Sequence, residues 1–453
     1  MRVSDTTSCG IARSAEHIRP LLLIGLALVA GDALAQQAAP VPVPDLTQPL
    51  TAPEKMTVGQ RPHPEYDPTT IRLGSFDIIS SIDLGERFDS NIYGSSVEPL
   101  SDFIAFARPT INVSSDWGND DALGFYASGD VEKYAEHTTE NVNNVVVEAD
   151  GRLGMMSGEY LELRSGYQIE HESRYAADSE AAVEYSGGGY FARYPTQYSV
   201  AQSMVSYVHS RGIIGVAVDA GIQSYSFMNE PTFNGGLAIN SDRDRNDYSL
   251  VPRLSYELAP GYQAFVQTSV ARNQYDSTVD ATPEHLKRSS TSYAIAAGSQ
   301  FELARLLVGD FYVGYIADNY EDSRLTSVHG PYFSGSLLWN VTSLTSATFK
   351  VKRSIYETIL IGSPGTWQTE VDALVEHELL RALLVTAQVS YRYSEYIDLA
   401  RRDDLIGVSA GLRWKLSRLV SWGIQGSWQQ RSSNQPENGF NEGTASADIR
   451  LMF

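Results

Sequence analysis

Two stretches set a carboxylate beside an imidazole, His171-Glu172 and Glu376-His377-Glu378, the pairing from which general acid–base chemistry is built. Asp242, Asp244 and Asp247 place hard oxygen ligands close together, as a calcium loop would. Gly187-Gly188-Gly189 has the composition of a phosphate cradle. Each has a plainer reading. Adjacent residues on a strand face opposite ways, so neither His–Glu stretch makes a ligand pair by itself. The aspartates fit a solvated loop, and the glycines fit loop flexibility. The zinc motif H-E-x-x-H, the P-loop and the dinucleotide fingerprint are all missing from the chain, and the one G-x-S-x-G match, Gly407 to Gly411, lies inside an alternating strand pattern rather than at a strand-to-helix turn. No catalytic residue, metal or cofactor is therefore expected. The remaining chemistry lies in charges at alternate positions. The bases are Arg108, Arg253, Lys350, Lys352, Arg392, Arg413 and Lys415, and the acids are Asp130, Glu132, Glu148, Asp150, Glu370, Asp372 and Glu376.

Strands must position them. Ile406, Val408, Ala410, Leu412, Trp414 and Leu416 form one apolar face, against Gly407, Ser409, Gly411, Arg413 and Lys415 on the other. Leu383 to Tyr393 repeats the pattern, and so do the last residues, ending on Phe453. The expected strands are 75–87, 102–116, 121–135, 143–156, 159–174, 197–209, 212–228, 246–259 and 262–276. They continue as 290–304, 306–320, 329–339, 343–356, 366–379, 382–396, 403–416, 419–430 and 442–453. Such strands are far longer than the usual ~5–6 residues of globular proteins. Connections alternate between short turns and long loops, as an up-and-down transmembrane barrel requires. The fold expected is all-β: an antiparallel barrel of about 18 strands, or 16 if one hairpin is misread, with an aqueous channel inside. Tyr256, Trp339, Trp414 and Phe453 near the short turns, and Tyr391, Tyr393 and Trp428 near the long loops, would form two aromatic girdles.

With that pattern, the fourteen charged residues line the channel. Acids on the early strands and around Glu370–Glu376 would oppose a basic side of Lys350, Lys352, Arg392, Arg413 and Lys415 and set a transverse field; otherwise the charges pair along the wall and merely keep it polar. Tyr126, Phe265 and Tyr312 also face inward, where flat rings suit stacking on sugars. The long loop 175–196, which holds the glycine run, would narrow the pore if it folded inward.

Composition agrees. The 453 residues carry 55 acids against 34 bases, a net charge of −21, which excludes nucleic-acid binding through a positive field. Mean hydropathy is −0.22. Arg13 and Arg19, the apolar run Pro20 to Ala30 and then Ala33-Leu34-Ala35 predict a signal peptide over 1–35. Cys9, the one cysteine, lies within it. Residues 36–70, rich in proline from Pro40 to Pro68, read as an extended, disordered periplasmic arm, and 71–453 as the barrel.

Arg61-Pro62-His63-Pro64-Glu65-Tyr66-Asp67-Pro68, followed by Ile71-Arg72-Leu73-Gly74-Ser75-Phe76, resembles the opening of the putative β-barrel porin type 2 family. Asp89-Ser90-Asn91-Ile92-Tyr93 is similar to that family's Asp-Asn-Ile-Tyr element, with Ser90 intervening. Arg108-Pro109, Ser115-Asp116-Trp117 and the stretch from Gly166-Tyr167 to Arg174 also fit. The resemblance implies a barrel in the outer membrane of a Gram-negative bacterium, with relatives associated with exopolysaccharide or capsule secretion. The leading expectation is an outer-membrane porin whose aqueous channel exports polysaccharide. A general diffusion porin for small polar solutes is the alternative, with a barrel enzyme or structural adhesin third. Expected partners are outer-membrane lipid, the barrel-assembly machinery through the C-terminal strand ending in Phe453, and periplasmic polysaccharide-export components.

Overall fold

A strand with one face in hydrocarbon must find every backbone partner in its neighbours, because lipid offers none. This chain does so by closing a sheet on itself. The computed structural model describes residues 56–118, 121–175, 192–210, 212–281, 284–303, 306–358 and 360–453. The expected signal peptide, residues 1–35, and residues 36–55 of the expected proline-rich arm lie outside the described residues.

The first strands are β1 (Phe76–Asp89), β2 (Asp102–Gly118), β3 (Asp121–Tyr134), β4 (Val142–Met156), β5 (Glu159–His171) and β6 (Gln197–His209). Next come β7 (Ile214–Phe227), β8 (Arg245–Ala259), β9 (Tyr262–Tyr275), β10 (Ser290–Leu303), β11 (Leu307–Tyr320) and β12 (Val328–Thr342). The last are β13 (Thr345–Tyr356), β14 (Thr366–Leu380), β15 (Leu383–Tyr396), β16 (Arg402–Lys415), β17 (Val420–Ser433) and β18 (Phe440–Met452). Every strand pairs antiparallel with its sequence neighbours, and β1 pairs with β18 from Ser81↔Met452 to Asp89↔Thr444, closing the barrel. The outward face is apolar and open; Ile295, for example, is 56% exposed. No described helix is long and apolar enough to cross a membrane.

The count of eighteen and the alternation of short and long connections are as expected, with each boundary within three residues. One turn is displaced. Asn340–Thr342 reads as a turn by residue type, yet β12 continues to Thr342 through a bulge after Trp339, and the turn is Ser343–Leu344. Asn340 keeps a ladder bond, its N–H donating to Leu306 O at 2.8 Å, and its buried side chain faces the interior. Bulges recur at the short-turn ends of β2, β4, β8 and β14, where extra twist lets strands reverse tightly. The turn at Gly158 needs φ +77°, a left-handed conformation natural to glycine.

An element missed by sequence patterning is the short strand Ile71–Leu73. It folds back on β1, Ile71 opposite Ile78, and covers the edge left open below the β18 seam. The C-terminal strand ends at Met452. Phe453 follows it, its N–H donating to Ser80 O at 2.9 Å and its ring exposed on the outer face, as are those of Tyr256, Trp339, Trp414, Tyr391 and Trp428.

Candidate pore lumen and its two ends

Cross-strand register decides which residues share the inner face. Following the partners around the barrel (Asp83 and Arg108, Asp130, Glu148, Arg164, then on to Lys350, Asp372 and Arg413) places all fourteen expected residues on that one face. The structure brings most of them together as neighbours of opposite sign. Arg108 donates to Asp130 at 3.0 Å and to Glu132 at 3.1 Å, and Arg87 grips Glu132 with both terminal nitrogens at 2.8–2.9 Å. Arg392 pairs with Glu370 at 3.0 Å, and Arg413 is bidentate on Asp448 at 2.8 and 3.1 Å. Lys350 stands opposite Asp372, and Lys352 opposite Glu370 with its ammonium 5.5 Å from the Tyr356 ring. Asp150 stands opposite Arg164, and Glu148 opposite Gly166. Arg253 donates to Gln267 at 2.7 Å and stacks over Phe265 at 4.1 Å. Arg450 is bidentate on Asp83 at 2.6 Å across the closing seam.

Most of the wall's charges thus sit beside a partner of opposite sign, which favours the second of the two sequence readings. A cation about 3 Å from its acid cancels most of its field at lumen distances, so the expected separation into basic and acidic sides does not arise. Arg87, the last residue of the expected first strand, escaped notice there; it is the second clamp on Glu132. Aromatic side chains sit among the pairs. Phe265, Tyr312 and Tyr332 face inward beside Ala294 and Ala296, and Tyr332 is 2% exposed.

Neither His–Glu stretch assembles a catalytic group. Glu376 and Glu378 share the inner face while His377 meets Thr345 at 2.9 Å. Glu172 is bound by Arg243, and His171 meets Asn144 at 2.8 Å. The three loop aspartates go separate ways: Asp242 accepts from Ala281 N, Asp244 from Phe227 N, and Asp247 from Arg245.

At the long-loop end, the segment 357–365 between β13 and β14 turns inward. It crosses the inside of β12 and reaches β9 to β11. Asn273 and Tyr275 donate to the Glu357 carboxylate at 2.9 Å each, Arg288 donates to the carbonyls of Thr358 at 2.9 Å and Ser363 at 3.3 Å, and Tyr320 donates to Pro364 O at 2.6 Å. Burial pushes the Glu357 carboxyl up to about 7; Asp318 and Asp247 add to the rise, while Arg245 and the Tyr275 hydroxyl oppose it. Sequence reasoning looked instead to the loop 175–196, whose residues 176–191, with the glycine run, lie outside the described residues. Its first residue does reach across the barrel: Arg431 of β17 donates to Tyr175 O at 2.8 Å, and the Tyr175 ring packs on Phe440 of β18.

At the short-turn end, residues 56–67 lie against the inner wall. Val58 N–H donates to Ser346 Oγ at 2.9 Å, and Arg61 donates to Ser343 O and Asn340 Oδ1 at 2.5 and 2.6 Å. His63 Nε2 meets Glu378 at 2.9 Å, Lys415 donates to Asp67 at 3.0 Å, and Arg381 pairs with Glu65 at the rim. Glu376 faces Gly59 and Ser346. The described part of the expected disordered arm is thus bound to the wall. Its prolines alone could not reveal that, because the partners lie some 280 residues or more downstream.

The chain matches the model of a family described as putative beta-barrel porin 2 over residues 63–453. No curated protein matches it. Among solved structures it is similar to the outer membrane protein opdK of Pseudomonas aeruginosa, with 11% identity, 83% of this chain and 99% of that one covered, and a TM-score of 0.45. It is also similar to the ferric-catecholate import receptor Fiu of E. coli K12, with 11% identity, 85% and 82% covered, and a TM-score of 0.42.

Proposed function

The chain belongs to the putative beta-barrel porin 2 family, and from that premise we propose that this outer-membrane porin exports a polysaccharide through its lumen without converting it chemically. The short turns then face the periplasm and the long loops the cell exterior. The observation that carries the reading is the pairing of charges along the inner wall. A wall of matched pairs presents dense hydrogen-bonding groups with little net field, which suits a polyhydroxyl chain better than selection of small ions. The fourteen charged residues would be the pore lining. Periplasmic polysaccharide-export components would meet the proline-rich arm, and the barrel-assembly machinery would read the strand that precedes Phe453.

Deletion of the gene tests this. Loss of secreted polysaccharide with unchanged uptake of small polar solutes is the expected result. Unchanged secretion with impaired solute uptake would replace the export reading with a diffusion porin, whose polar lumen the same wall also provides.

A further inference from the structure

The motif Arg61-Pro62-His63-Pro64-Glu65-Tyr66-Asp67 has no task in a bare aqueous conduit, yet nearly all of its polar side chains have a partner on the inner wall. We propose that residues 56–67 are a latch on the periplasmic mouth, seated in a receptor strip of Asn340, Ser343, Ser346, Glu376, Glu378 and Lys415, and that the pore conducts more freely when the latch leaves the strip.

Three observations carry this. The first is path. From the base of β1 the segment runs back past β18 and β17, meets Lys415 on β16 and Glu378 on β14, and ends against Ser346 on β13 and Asn340 on β12. It therefore borders a large sector of the mouth. The second is fit. Val58 is fully buried, and Gly59 lies so close to the Glu376 carboxylate that a Cβ there would stand 2.4 Å from Oε1 unless that side chain moved. The third is the kind of bond. The contacts are side-chain hydrogen bonds and ion pairs of intermediate burial, such as His63–Glu378 at 11% and 12% side-chain exposure and Lys415–Asp67 at 28% and 34%. No β-ladder ties the segment to the wall, so it can leave without opening the barrel. Pro62 and Pro64 restrict the free segment and lower the entropy lost on reseating.

The inference rests only on the aqueous lumen of the porin reading, whatever the cargo. Cys9 is the sole cysteine, so a Cys9→Ser background carrying Val58→Cys and Ser346→Cys can form one disulfide. The His63→Ala/Asp67→Lys double variant removes the bond to Glu378 and sets a cation against Lys415. Single-channel conductance in planar bilayers is measured for wild type, the double variant, and the cysteine pair oxidised and reduced, with heat-modifiable migration confirming the folded barrel. Oxidation is expected to cross-link the pair and lower conductance below that of the reduced pair, with reductant restoring it, and the double variant is expected to conduct severalfold more than wild type. Failure to cross-link overturns the seating. A folded double variant that conducts no more than wild type, or a cross-link without effect on current, overturns the latch. Normal polysaccharide secretion in the deletion strain beside these gains in current would remove the cargo reading and leave the latch standing.

Discussion

Raising the pH should loosen loop 357–365 from the inner wall. Glu357 is enclosed by Asn273 and Tyr275 of β9, Arg245 and Asp247 of β8, Asp318 and Tyr320 of β11, and lies beside Arg288, and its carboxyl is raised to about 7 from an ordinary 4.5. The docked loop therefore holds this proton more tightly than the free loop. Docking stability from this group is complete below the ordinary value and is lost as pH rises through about 7. The full effect is about 3 kcal/mol, of which about 2 kcal/mol falls between roughly pH 5.5 and 8.5, a change of about 30-fold in the docking equilibrium. Hydrogen exchange of the 357–365 amides at those two pH values reads it directly, and conductance of the latch-released protein gives a second readout. Glu357→Gln keeps the hydrogen-bonding shape without a titrating proton, so its exchange should stay slow at both. Equal protection at the two pH values in the wild type would refute the reasoning, as would the same loss of protection in Glu357→Gln.

Three further changes follow from the same contacts. Arg288→Ala removes the donor to two loop carbonyls and strands the buried Asp280, bound by Arg288 at 2.8 Å; loop exchange should accelerate by an effect on the order of 3 kcal/mol while the barrel still migrates as folded. Asp83→Asn should weaken the closing seam by roughly 1–3 kcal/mol, lowering the temperature of the heat-modifiable shift, and a double-mutant cycle with Arg450→Gln should recover a coupling term. Ile295→Arg puts a cation on the lipid face and should cost about 2–4 kcal/mol near the midplane in bilayer refolding titrations, whereas Ser334→Arg, on the inner face, should cost far less.

Much of the barrel was legible because its physics is local. Ile406 to Leu416 must alternate if one face meets lipid and the other water, and the period survives in any register that closes the sheet. Element ends were less legible. Asn340 to Thr342 carry turn-type residues because Asn340 serves the inner rim, and residue type cannot separate a rim from a turn. Parity alone puts the fourteen wall charges on a single face, but who neutralises whom depends on register between strands, as with Arg413 and Asp448 two strands apart.

By itself, then, the sequence determined what repeats along one strand: about eighteen amphipathic segments, an inner polar face and an outer apolar face. Only the tertiary structure decided what crosses the interior. Residues 56–67 meet a strip about 280 to 350 positions away, and residues 357–364 meet strands two to four places around the wall. Such contacts join irregular segments to single side chains, so no period records them.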